Sequence, residues 1–127
     1  MLKLLYVVSE AAPFVKTGGL GDVAGSFPKA AKGQNIDIRV VMPKYSNIPE
    51  QYRSKMQNIY TGTVNVAWRE KYVGIEKLEY NGITFYFIDN EEYFKREGCY
   101  GYGDDAERFA FFDRAVLEML PIIDFYP

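Results

Sequence analysis

The sequence of 127 residues contains no histidine, and that absence removes a group of chemistries at once. Without an imidazole there is no Ser–His or Cys–His nucleophile pair and no histidine-based metal centre. Cysteine is almost as scarce: the single Cys99 excludes an intrachain disulfide and suits a reducing compartment. It reads as a bystander, because no histidine exists to activate it. Carboxylate pairs such as Asp104-Asp105 lack the spacing of a calcium loop, so no metal site is expected. Neither sign of charge dominates, with 15 Lys and Arg against 17 Asp and Glu and no basic cluster. This argues against nucleic acid or an anionic membrane as a partner. The apolar run near the start, Leu4 to Val8, is cut at once by Ser9 and Glu10 and is too short for a membrane span or a signal-peptide core. The cytoplasm is the compartment these features suit.

What is present fits one globular unit. The sequence is 48% hydrophobic and 25% charged, and a chain of this length buries roughly two-thirds of its unfolded surface. Leu2 to Val8 is predicted to be a buried parallel strand, followed by a helix from Gly21 to Lys32 kinked at Pro28 and a second strand from Ile36 to Met42. That is one βαβ unit. A loop over 43–56 with a short helix near Pro49 to Lys55 leads into strands at Asn58 to Trp68 and Lys71 to Tyr80. Asn81-Gly82 then marks a hairpin turn into Ile83 to Ile88, which is apolar enough to enter the main sheet. A helix from Asp105 to Leu120 closes the pattern. Asp104 and Glu107 are placed to form a capping box, Phe109, Phe112, Val116 and Leu120 form a core stripe, and Pro121 is the expected stop.

The most informative segment is Lys16-Thr17-Gly18-Gly19-Leu20-Gly21-Asp22-Val23, one short loop after the first strand. Its glycines would let a ligand approach the backbone, and the helix that follows would point free N–H groups and a positive dipole end at an anion. The same residues also suit a plain strand-to-helix turn with a solvated Lys16. The order is neither GxGxxG nor GxxxxGK[ST], so the two common phosphate loops are excluded. Asp22 suits the positive helix end as well as it suits a ligand. Glu10 follows the carboxyl end of the first strand, where parallel sheets bind ligands, and is either site-lining or a solvated loop carboxylate. Asp89-Asn90-Glu91-Glu92 serves equally to bind sugar hydroxyls or to cap a short helix. Most aromatics occur at core spacing. Tyr100 and Tyr102 instead lie among Gly98, Gly101 and Gly103, where a binding role is open.

Ser9-Glu10-Ala11-Ala12-Pro13, the KTGGLGDV segment at 16–23, VVMPKY at 40–45, DNEEYF at 89–94 and RFAFF at 108–112 occur in an order that resembles bacterial glycogen synthases and plant starch synthases. The resemblance spans nearly the whole chain. It implies an α/β fold: residues 1–127 as the first part of a Rossmann-like N-terminal domain of a GT-B glycosyltransferase, with a parallel sheet plus an antiparallel β-hairpin. It also implies that the rest of that domain, with a histidine-containing segment, and a second domain lie outside this fragment.

In such enzymes ADP-glucose donates glucose, with retention, to the non-reducing end of an α-1,4-glucan in glycogen biosynthesis. The donor is a substrate, and no cofactor is implied. The resemblance assigns Lys16 to ADP-glucose binding. It makes Gly18 and Gly19 amide donors where a side chain would clash, Asp22 a sugar or loop contact, Glu10 a site-lining group, and Tyr100, ahead of Tyr102, an acceptor contact. No catalytic residue falls in these 127 residues, so the fragment alone is expected to be inactive, and an unpaired sheet edge would favour self-association. The alternatives are a stand-alone nucleotide- or phosphate-binding module and a purely structural fold.

Overall fold

The computed structural model describes all 127 residues, in the order β1 (Leu2–Val7), α1 (Gly19–Lys32), β2 (Ile36–Pro43), α2 (Glu50–Arg53), β3 (Gln57–Val66), β4 (Arg69–Tyr80), β5 (Ile83–Asp89), α3 (Glu91–Phe94) and α4 (Asp105–Ile123). One five-stranded sheet in the order β1-β2-β5-β4-β3 runs through the molecule. β1, β2 and β5 are parallel, while β4 pairs antiparallel with both β5 and β3. The expected antiparallel hairpin forms, and Ile83 to Ile88 enters the main sheet as its apolar run suggested. The β5 arm pairs with β2 and fuses the hairpin to the parallel strands in a mixed sheet.

Two layers of helix cover this sheet. Tyr6 and Val40 pair across β1 and β2, and the Tyr6 ring lies 5.4 Å from Phe27 of α1, which puts α1 on that face. Arg39, one residue along and so on the opposite face, packs its guanidinium 4.1 Å from the ring of Phe125, which follows α4. Between β1 and β2 the chain makes the expected βαβ crossover. The α1 face holds the aromatic centre of the core, where Phe14 meets Phe85 at 4.9 Å, Tyr52 at 5.1 Å, Phe87 at 5.2 Å and Tyr80 at 5.5 Å, all edge to face. Phe14 thereby anchors to the sheet the loop that carries Lys16.

Several expectations are corrected. β1 ends at Val7, one residue short of the predicted span, and is an edge strand with Leu2 64% exposed; its apolar run is half-buried because only one side has a neighbouring strand. α1 begins at Gly19, two residues before the expected start, and contains Pro28 on its buried face with Gly21, Ala24 and Ala31. α4 likewise continues through Pro121 to Ile123. It ends at Asp124 in the left-handed region (φ 52°), with Phe125 N–H donating to Leu120 O at 3.2 Å and Asp124 N–H to Pro121 O at 3.3 Å. These are the paired bonds of a Schellman ending, and the buried Phe125 supplies its hydrophobic contact. The α4 stripe is Arg108, Phe111, Phe112, Ala115, Val116 and Met119, leaving Phe109 and Leu120 only partly buried. The capping box does not form, because Arg96 takes the Asp104 carboxylate at 2.6 and 2.8 Å while Glu107 bonds Arg69 and Tyr93. The Asn81-Gly82 turn appears as predicted, both residues having positive φ, 51° and 76°.

Candidate functional site: the glycine loop after β1

The loop between β1 and α1 is built around a buried carboxylate. Glu10 is only 2% exposed. Its Oε1 accepts the Gly21 N–H at 3.1 Å, and its Oε2 accepts the Thr17 N–H at 3.1 Å, the Thr17 hydroxyl and the Tyr100 hydroxyl at 3.3 Å. A buried anion needs such donors, and part of the positive end of α1 is among them. Glu10 thus stands beneath the loop and holds it. It is not the solvated carboxylate that one reading allowed, nor an acceptor left open for a ligand.

The same network brings in a residue ninety positions away. The Tyr100 hydroxyl also lies 2.6 Å from Ser9 Oγ, and the buried Tyr45 hydroxyl donates to Ser9 O at 2.7 Å. Burial raises the Tyr100 and Tyr45 phenols above their ordinary range, so both stay protonated and available as donors. Tyr100 is 42% exposed and presents its ring beside the loop. Tyr102 turns inward instead: its oxygen accepts the Gly98 N–H at 3.0 Å and its ring lies 4.9 Å from the Arg108 guanidinium.

Glu10 takes up the amides of Thr17 and Gly21 but leaves those of Gly18, Gly19 and Leu20 with no partner in the protein. Lys16, two residues before Gly18, holds its Nζ 3.1 Å from Asp22 Oδ1 of the first turn of α1 in an exposed pair. A Cβ added at Gly18 or Gly19 meets nothing within 4 Å. The expected clash therefore does not come from the chain itself, and the extended Gly18 (φ −170°) needs no glycine either. The glycines required by packing are others. A Cβ at Gly21 would stand 3.1 Å from Lys16, and one at Gly25 would stand 2.9 Å from the Ala12 carbonyl oxygen. Sequence reasoning missed Gly25, for which a Gly spaced one turn after Gly21 was the only signal.

It also missed Arg108. This side chain is completely buried, donating from Nε to Tyr93 O at 2.7 Å and from Nη1 to Cys99 O at 3.0 Å and Asp105 Oδ1 at 2.8 Å. Asp105 in turn accepts the amides of Gly101 and Tyr102 at 2.8 and 3.1 Å. The pair fixes the loop that delivers Tyr100. The signal was an arginine on the apolar face of α4, one turn before Phe111 and Phe112.

The structure thus gathers Glu10, Lys16, Gly18, Gly19, Asp22 and Tyr100 around one loop and leaves Asp89 elsewhere. In the DNEE segment the capping reading holds, since Asn90 Oδ1 accepts the Tyr93 N–H at 3.1 Å at the start of α3. The glycine loop lies on an open surface, and the three cavities of the molecule include none of residues 16–22.

A family model described as the starch synthase catalytic domain matches residues 3–127. The chain belongs to that family. The glycogen synthase of Desulforamulus reducens is 60% identical over 126 residues, 99% of this chain and 26% of that protein. That of Anoxybacillus flavithermus is 58% identical, with the same coverage. The catalytic domain of Starch Synthase IV from Arabidopsis thaliana, bound to ADP and acarbose, superposes with a TM-score of 0.87 at 26% identity, covering 99% of this chain and 26% of that one. The chain spans about a quarter of the length of the relatives it matches, and its α/β arrangement is that of the starch synthase catalytic domain.

Proposed function

We propose that this chain is the first part of the N-terminal domain of a glycogen synthase, a retaining hexosyltransferase that moves glucose from ADP-glucose to the non-reducing end of an α-1,4-glucan. The observation that carries the reading is the state of Gly18 and Gly19: neither conformation nor packing within the chain demands glycine, yet their amides are free at a helix N-terminus that closely follows Lys16. Glycine there keeps the surface clear for something outside the chain, and a diphosphate suits those donors. The family match supports ADP-glucose as the donor and glycogen as the acceptor in this proposal.

In this role Lys16 exchanges its exposed contact with Asp22 for the donor phosphates. Its ammonium then stabilises the negative charge that grows as the diphosphate leaves. Asp22 is freed to meet the sugar or to hold the loop. Tyr100 presents its ring to the glucan, and Glu10 keeps loop and tyrosine in register from below. No residue of the chain is assigned as catalytic, so the 127 residues by themselves transfer no glucose. The donor is itself the only small molecule the proposal invokes. A free, buried Cys99 suits the cytoplasm; no helix is long and apolar enough to cross a membrane. The exposed edge of β1 offers a second copy of the chain a strand to pair with, so self-association is part of the proposal. A monomer in light scattering at high concentration overturns that part.

The test is a 15N-resolved NMR titration with ADP-glucose. Saturable shifts at Gly18, Gly19 and Leu20 that vanish in Lys16→Ala are the expected result. Absence of any response in this loop, in a folded chain with donor in excess, overturns the assignment.

A further inference from the structure

A second polar site lies at the carboxyl ends of β2 and β5, away from the glycine loop. Lys44, Ser46, Arg53, Asp89, Glu91 and Lys95 line a cavity of about 250 Å³ with no hydrophobic residue among them. Two of its groups are poorly satisfied: Asp89 is half-buried and accepts no hydrogen bond from the protein, and Arg53 Nε is buried with no partner, while Lys95 and Glu91 stand exposed at the rim, 3.9 Å apart. Lys44, by contrast, is firmly held by Glu76 at 3.0 Å and forms a fixed wall. Unmet donors and acceptors around an empty space are the condition a ligand relieves.

The lining decides what kind of ligand fits. A bare anion would meet Arg53 and Lys95 but also the carboxylates of Asp89 and Glu91. A neutral polyol would satisfy the carboxylates and leave the guanidinium unmet. An aromatic base has no apolar wall to lie against, and the volume is below the roughly 300–1,000 Å³ of sites for larger ligands. We propose that this cavity binds a monosaccharide phosphate, with the phosphate accepting from Arg53 and Lys95 and the sugar hydroxyls donating to Asp89. The site is separate from the glycine loop yet shares a wall with its surroundings. Between Lys44 and Ser46, Tyr45 sends its hydroxyl the other way, to Ser9 O at 2.7 Å. This inference does not depend on the donor reading.

The experiment is a 15N-resolved NMR titration of the chain with glucose 1-phosphate, and separately with glucose and with inorganic phosphate. Saturable shifts are expected at Ser46, Arg53 and Asp89, with glucose 1-phosphate binding at least tenfold more tightly than either half alone. Arg53→Ala and Asp89→Asn are each expected to weaken it roughly tenfold, as for one lost charge-assisted hydrogen bond, while Lys16→Ala leaves it unchanged. Three results overturn the proposal: phosphate binding as tightly as the sugar phosphate, binding that is lost in Lys16→Ala but kept in Arg53→Ala, or no saturable response at the cavity in a chain whose spectrum is dispersed. A failure of the donor assignment would be seen at Gly18 to Leu20 instead, so the two cannot be confused.

Discussion

Glu10 and Gly21 are joined by a hydrogen bond of 3.1 Å from the first-turn amide of α1 to a buried carboxylate at the end of β1. The loop between them is consequently held at both ends, and its exposed amides belong to a fixed surface. Replacing Glu10 with Ala leaves the Thr17 amide and hydroxyl without their acceptor and removes one of the two partners of the Gly21 amide and of the Tyr100 hydroxyl, which keep Gly18 O and Ser9 Oγ. A loss of about 2–3 kcal/mol is expected, read as a lower urea midpoint. Glu10→Gln, which keeps an acceptor, is expected to lose less.

The glycines divide by reason, and substitution separates them. Gly25→Ala drives a methyl against the Ala12 carbonyl, so a loss of about 1–3 kcal/mol is expected in chemical denaturation. Gly19→Ala meets open space in the first turn of a helix and is expected to gain up to about 1 kcal/mol. Its effect is expected on ADP-glucose instead, whose shifts at the loop should weaken. A Gly19→Ala chain that loses stability would contradict the argument that this glycine serves something outside the fold.

These contrasts mark how far the sequence could be read. The strands were legible because apolar runs and an Asn-Gly turn are local signals, and the loop was legible as a candidate because its glycines cluster. What the chain hides is which glycine packing requires and which it leaves free, since Gly19 and Gly25 look alike until Ala12 is in place. The run Asp104, Asp105, Glu107 misled for a similar reason. Any of the three carboxylates can cap α4, and the choice is made by Arg96, Arg69 and Tyr93, whose approach is a tertiary event. Pro121 masked the last turn because the Schellman bonds at Asp124 and Phe125 close the helix beyond it.

Those carboxylates give an acid limb to stability. The Arg96 guanidinium holds Asp104 below its ordinary range, the Gly101 amide does so for Asp105, and the Tyr93 hydroxyl for Glu107. Each is protonated more readily in the unfolded chain, so its contribution is complete above the ordinary carboxylate range and is lost as pH falls below about 4. Asp89 has the opposite sign. Burial raises its carboxyl, so its ionisation opposes folding as pH rises through the folded value. Asp89→Asn is therefore expected to raise the denaturation midpoint at neutral pH, with the gain disappearing on acidification. An equal gain at all pH values would show that charge is not the cause.

Cys99 provides a check on the packing of the Tyr100 loop. The thiol is buried, its carbonyl accepts from Arg108 at 3.0 Å, and burial pushes the thiol up to about 11. Little thiolate exists at pH 8, and reagent must reach a closed site. Reaction with a disulfide reagent is expected to be at least about tenfold slower in the native chain than in urea, as follows from the thiolate fraction alone. Arg108→Met removes the guanidinium that ties Cys99, Tyr93 and Asp105 together while keeping much of the side-chain volume. The loop should then open and the native rate approach the denatured one. An unchanged rate in a variant that still folds would show that the loop is held without Arg108, and that Tyr100 reaches Glu10 by some other support.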